Sequence, residues 1–172
     1  LTVAAPATLT GAAAQAPADA ARLADEAALR RLADTLDHAV DTKDWALART
    51  QFAGTVRMDM SSLGAGPATD VAADDVVAGW RRAFQGAKTS LHFRTNHLAR
   101  IEGDRATMTS HGYAWNRLPA GVLGAEPMLW EVWGTYEHRF VRGAEGWRIT
   151  GFTFTATHER GDRRVVTTVL PE

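Results

Sequence analysis

Apolar residues return every three or four positions at Leu29, Leu32, Leu36 and Val40, while Arg30, Arg31, Asp34 and His38 fall away from that stripe. The spacing predicts an amphipathic helix of about four turns from Asp25 onward. Asp41-Thr42-Lys43-Asp44-Trp45 reads as a break and restart, with Asp44 a candidate N-cap and Trp45, Ala48 and Phe52 on the buried side of a second helix. Val56 to Met60 is extended, and a Gly/Pro-containing loop, Leu63 to Ala68, leads to a third helix with Val77, Trp80 and Phe84 on its buried stripe.

Beyond Lys88 the period changes to two. In the segment Leu91 to Ile101, strict alternation puts His97 on a face with Leu91, Phe93, Thr95, Ala99 and Ile101, opposite His92, Arg94, Asn96 and Arg100. An imidazole on an apolar face needs a hydrogen-bond partner, so His97 marks either a satisfied core contact or a working pocket. Gly103-Asp104 predicts a hairpin into Ala106 to Asn116, where His111 shares a face with Thr107, Thr109, Tyr113 and Trp115. A long loop, Leu118 to Pro127, has the length and Gly/Pro content of a possible gate. Met128 to Val141 then places Met128, Trp130, Val132, Gly134, Tyr136, His138 and Phe140 on one face. A last strand, Trp147 to His158, follows the Gly143–Gly146 turn, with the terminal residues available for a short edge strand. Helices first and a curved antiparallel sheet afterwards predict an α+β domain.

Composition bounds the chemistry. The 172 residues, 45% hydrophobic and 23% charged, suit one domain with a substantial core. The net charge of −1 and interspersed signs leave no basic stripe for nucleic acid. The absence of cysteine excludes disulfides and thiolate chemistry. Single, scattered histidines give no metal-binding spacing, and no glycine-rich phosphate loop is present. No run is long and apolar enough for a membrane span. Residues 1–21 read as an Ala-rich flexible tail or the remnant of a secretion signal, with the domain over 22–172.

Asp41 to Trp45, Val56 to Met60, Arg94-Thr95-Asn96-His97 and Ser110-His111-Gly112-Tyr113 occur in the order and spacing of the scytalone dehydratases. More broadly, the chain from Ala24 to Arg160 resembles the SnoaL-like branch of the nuclear transport factor 2-like superfamily. The resemblance implies a cone-shaped antiparallel sheet, a cystatin-like roll, closed by three helices around a deep, mostly apolar pocket. It also implies a catalytic aspartate at Asp41 and pocket histidines at His97 and His111. The chain departs from the dehydratases at Val40 and near Met60, where they carry tyrosines, at Gly134, where they carry a substrate-binding serine, and at Tyr136, where they carry an asparagine. Tyr113, Tyr136 or a protonated His111 could supply the missing acid, and Trp115, Trp130 and Phe154 are candidates for the pocket wall.

These residues predict a cofactor-independent enzyme for a small, largely apolar substrate bearing a carbonyl or hydroxyl, with His97 as a general base oriented by Asp41. Dehydration is the favoured outcome. Isomerisation, cyclisation or hydrogen-halide elimination would use the same base, and a non-catalytic binding or association module is the rival from another class. A homodimer or homotrimer in the cytoplasm is expected, or a secreted protein if the Ala-rich segment is a signal remnant.

Overall fold

The computed structural model describes residues 12–84 and 86–171. Four helices, α1 (Ala12–Thr42), α2 (Trp45–Thr50), α3 (Ala73–Phe84) and α4 (Arg164–Thr167), accompany six strands. The strands are β1 (Phe52–Asp59), β2 (Thr69–Ala72), β3 (Thr89–Glu102), β4 (Arg105–Leu118), β5 (Met128–Gly143) and β6 (Gly146–Gly161). Part of the expected tail, 1–11, lies outside the described residues, whereas residues 12–21 continue α1.

The predicted helix stripe is the buried one: Leu29, Leu36 and Val40 enter the core with Ala33 and Ala39 between them. Asp44 caps α2 as expected, its carboxylate accepting the Leu47 N–H at 2.9 Å. Phe52, expected on that helix, instead begins β1, because α2 lasts only six residues.

The sheet order is β2-β1-β6-β5-β4-β3. The four long strands form an antiparallel meander, and β1 pairs with β2 antiparallel, but β1 runs parallel to β6. The sheet is therefore mixed rather than wholly antiparallel. Alternation within one strand fixes which face is buried but says nothing about the direction of its neighbour. The sheet is curved and open, with β2 and β3 as its edges; α1 packs chiefly on β3, and α3 lies against β1. The expected C-terminal edge strand is absent: Asp162 accepts the Arg164 N–H at 2.9 Å, and the helical turn α4 that follows buries Val165 completely. No helix among the described residues is long and apolar enough to cross a membrane.

One irregularity in β3 controls everything that follows. Thr95 pairs with His111 and Leu98 with Thr109, so Asn96 and His97 together oppose Ser110. Two residues against one is a β-bulge, and Asn96 adopts the left-handed conformation that makes room for it, with φ 55°. Side-chain alternation changes phase there. Ser90, His92 and Arg94 turn toward the helices before the bulge, and His97, Ala99 and Ile101 after it, while Phe93 and Leu98 stand on the outer face at 57% and 73% exposure.

Candidate active site

Asp37 and Asp41 lie four residues apart on α1, and Arg94 and His92 lie two apart on β3. Four residues of helix rise about 6 Å and two of strand about 6.8 Å, so the two pairs match in pitch. The structure uses that match: each aspartate meets one base.

Asp41 Oδ1 is 2.7 Å from Nδ1 of His92 and accepts the Ser90 hydroxyl at 2.7 Å, while Oδ2 accepts the His92 main-chain N–H at 2.8 Å. Burial acts to raise the Asp41 carboxyl, but His92 and Ser90 favour its ionised form more strongly and hold it below the ordinary aspartate value. With Nδ1 committed to Asp41, the nitrogen left to a ligand is Nε2.

One turn earlier, Arg94 donates from Nε and Nη2 to the two oxygens of Asp37, each at 2.5 Å, in a bidentate pair. Its Nη1 donates to Nε2 of His138 at 2.6 Å, and its guanidinium stacks 3.9 Å above the Tyr136 ring. Burial opposes the Arg94 charge, yet Asp37 more than restores it. The same burial, with Arg94 adjacent, holds His138 well below the ordinary imidazole value, so this ring is neutral and accepts.

Of these groups, Asp37, His92, Arg94 and Tyr136 form one wall of a cavity of about 190 Å³. His92, Arg94, Asp37, Lys88, Asn116 and Tyr136 supply its polar lining; Leu36, Trp80, Phe84, Trp130, Val132, Phe152 and Phe154 supply much of the apolar remainder. Burial pushes the Tyr136 phenol up to about 12, so it stays protonated and able to donate. Gly112 creates the space Tyr136 occupies, since a Cβ there would stand 2.1 Å from the tyrosine Cε2. Among the described residues no group of three His, Cys, Asp or Glu side chains is arranged to hold a metal ion.

A family model described as a SnoaL-like domain matches residues 21–153. The chain belongs to the SnoaL-like domain family. It is similar to the Kfla4162 protein from Kribbella flavida, at 30% identity and a TM-score of 0.80, with 86% of this chain and 99% of that one covered. Two solved structures share the fold at lower identity. One is the LinA-type3 hexachlorocyclohexane dehydrochlorinase from Novosphingobium barchaimii, at 17% identity and TM-score 0.65, covering 89% and 99% of the respective chains. The other is a candidate scytalone dehydratase from Novosphingobium aromaticivorans, at 13% and 0.67, covering 83% and 90%. No curated protein sequence matches the chain. The nuclear transport factor 2-like fold expected from the resemblance is thus the fold observed.

Within this SnoaL-like domain the expected site residues separate. Met60, Trp130, Tyr136 and Phe154 line the cavity. Asp41 is in place, but its partner is His92 rather than His97. Beyond the bulge, His97 faces α1 away from the cavity lining, its Nε2 buried, without a hydrogen bond, and 3.7 Å from Asp34. Burial lowers it below the ordinary imidazole value.

His111, Tyr113 and Trp115 are on the outer face of the sheet. His111 is exposed beside Asn96, and Tyr113 donates to Glu131 at 2.8 Å within an outer stack of Phe93, Tyr113, Trp133 and His158. The inward face of β4 is instead Ala106, Met108, Ser110, Gly112, Ala114, Asn116 and Leu118. Its small members leave room for rings from β5 and β6, which makes the buried face look the less hydrophobic of the two. Gly134 does not offer a ligand contact: a Cβ there would meet the Thr155 carbonyl at 2.3 Å and the Phe154 ring at 2.7 Å.

Sequence reasoning missed His92, Arg94, Asp37, Lys88 and Asn116. A signal existed for Asp37, which follows Leu36 and lies eight residues after Leu29 on the buried stripe. For His92 and Arg94 the signal was the bulge-prone Asn96, since asparagine tolerates the left-handed conformation better than other side chains.

Proposed function

We propose that this domain is a cofactor-independent lyase of dehydratase type, acting on a small, largely apolar substrate that bears a carbonyl or hydroxyl. The observation that carries the reading is the contact of Asp41 with Nδ1 of His92 on the wall of an apolar cavity. A carboxylate in that position fixes the tautomer, presents the Nε2 lone pair to the ligand and stabilises the imidazolium formed when a proton arrives.

In the proposed reaction His92 Nε2 removes a proton from the carbon beside the activating group. The released electron pair becomes the new carbon–carbon double bond as the bond from the adjacent carbon to the leaving hydroxyl breaks. The imidazolium returns its proton to the departing hydroxide, giving water. Tyr136, protonated at neutral pH, can donate to the oxygen on which charge develops. The hydrogen-halide elimination named for one structural neighbour would need the same base and a different leaving group. Isomerisation would return the proton to another carbon.

The test is a screen of β-hydroxy ketones and halogenated alicyclic compounds, followed by ultraviolet detection of the new conjugated bond. The reading expects turnover by the native chain that His92→Gln and Asp41→Asn each reduce about 10²-fold or more. A His92→Gln variant that retains the native rate would remove the base and with it the proposal.

A further inference from the structure

Among the buried charges of the described residues, Lys88 stands apart. Asp37 is paired with Arg94, Asp41 with His92, and Glu131 with Arg160. Lys88 is 2% exposed, yet its ammonium has a single hydrogen bond, a long one of 3.4 Å to the Val166 carbonyl of α4. None of the described carboxylates forms a salt bridge with it. An ammonium has three donors, and among the described residues only the Val166 carbonyl accepts from it. Lys88 extends the inward phase of β3, sharing a face with Ser90, His92 and Arg94, and it lines the same cavity.

A buried cation without a counter-charge is costly unless it sheds its proton or gains an anion. The cavity is otherwise apolar on the sides contributed by Trp80, Phe84, Trp130 and Phe152. No described carboxylate supplies the counter-charge, and a ligand entering the cavity could bring it. We infer that Lys88 is an anion-binding residue of the cavity, and that the ligand is a small, otherwise apolar carboxylic acid seated with its carboxylate on the Lys88 ammonium.

This deepens the lyase reading and rests on the same cavity, since it gives the substrate an acidic group that would orient it relative to His92. It does not require any step of the chemistry. The lysine itself is pushed down to about 8 by burial, so it is mostly protonated at neutral pH and loses its charge above that. The other titratable or charged groups around the cavity are Asp37 and Arg94, already paired with each other, His92, paired with Asp41, and Tyr136, held protonated; His138 lies behind Arg94.

The experiment uses the full chain and four probes, benzoate and 2-naphthoate with the corresponding neutral amides, with affinity read by calorimetry and by thermal shift. Near neutral pH the acids should bind about tenfold or more tighter than the amides, the worth of a charge-assisted hydrogen bond. The preference should fall about tenfold per pH unit above the Lys88 value. It should vanish in Lys88→Met, whose folding is checked by circular dichroism, while amide binding persists. Asp41→Asn should reduce turnover about 10²-fold or more yet keep the preference for acids, so the two readings fail separately. Equal responses to acids and amides, no response to the acids, or an undiminished preference in Lys88→Met would overturn the inference.

Discussion

Asp41 holds His92 twice, at ring Nδ1 and at the main-chain N–H. The first contact leaves Nε2 as the ring nitrogen not engaged by Asp41. The second fixes the strand from which the ring projects, so one carboxylate sets both tautomer and position. Replacing Asp41 with alanine should therefore alter the ring as well as the rate. Long-range nitrogen–proton NMR spectra of the native chain should show the Nδ1–H tautomer for His92. The variant should lose that signature and about 10²-fold or more in rate.

Arg94 and Asp37 form the most deeply buried ion pair among the described residues, with side-chain exposures of 1% and 10%. Removing either partner strands the other charge, so Arg94→Met or Asp37→Leu should each cost about 3–5 kcal/mol. The double variant should cost well below the sum, because it leaves no orphaned ion. Urea unfolding of the four species measures the coupling directly.

Lys88 makes stability depend on pH in a defined direction. Its value is about 8 when folded and near 10.5 when unfolded, so between these limits the unfolded chain binds more protons. The native protein should gain stability, relative to Lys88→Met, as pH rises from about 8 to 10.5. Melting temperatures of the two chains across that range should converge, and a constant gap would contradict the burial of a charged amine.

Asn96 carries the bulge at a φ of 55°. Asn96→Gly should be tolerated, whereas Asn96→Val should cost about 1–2 kcal/mol, the penalty for a branched side chain in the left-handed region. Chemical denaturation gives the difference. Because the bulge also aims His92, the valine variant should lose activity under conditions where it remains folded.

Gly112 leaves the volume that the Tyr136 ring fills. Gly112→Ala should displace that ring and destabilise the fold by about 1–3 kcal/mol, as overpacking does. The near-ultraviolet dichroism of the tyrosine and tryptophan cluster should change while the far-ultraviolet spectrum stays constant.

The local rules were legible in the chain. Leu29, Leu36 and Val40 declared the buried face of α1, Asp44 its break, and Trp130 through Phe140 the inward face of β5, because each depends only on periodicity or on one neighbouring backbone group. The resemblance carried the fold and pointed to Asp41, a helix-end residue that the structure places against His92 and Ser90. Which histidine answers Asp41 was decided elsewhere. Alternation has a period of two, so one extra residue at Asn96 changes its phase: His97 stays on the inward face the alternation predicted, but His92 and Arg94 share that face and it is they that reach the cavity. The sequence by itself determined the three longer helices, the four long strands and the family. Only the tertiary structure decided the Asp41–His92 contact, the Asp37–Arg94 pair and the place of Lys88 in the cavity wall, because each is set by contacts between segments some fifty or more residues apart in the chain, where no local pattern reaches.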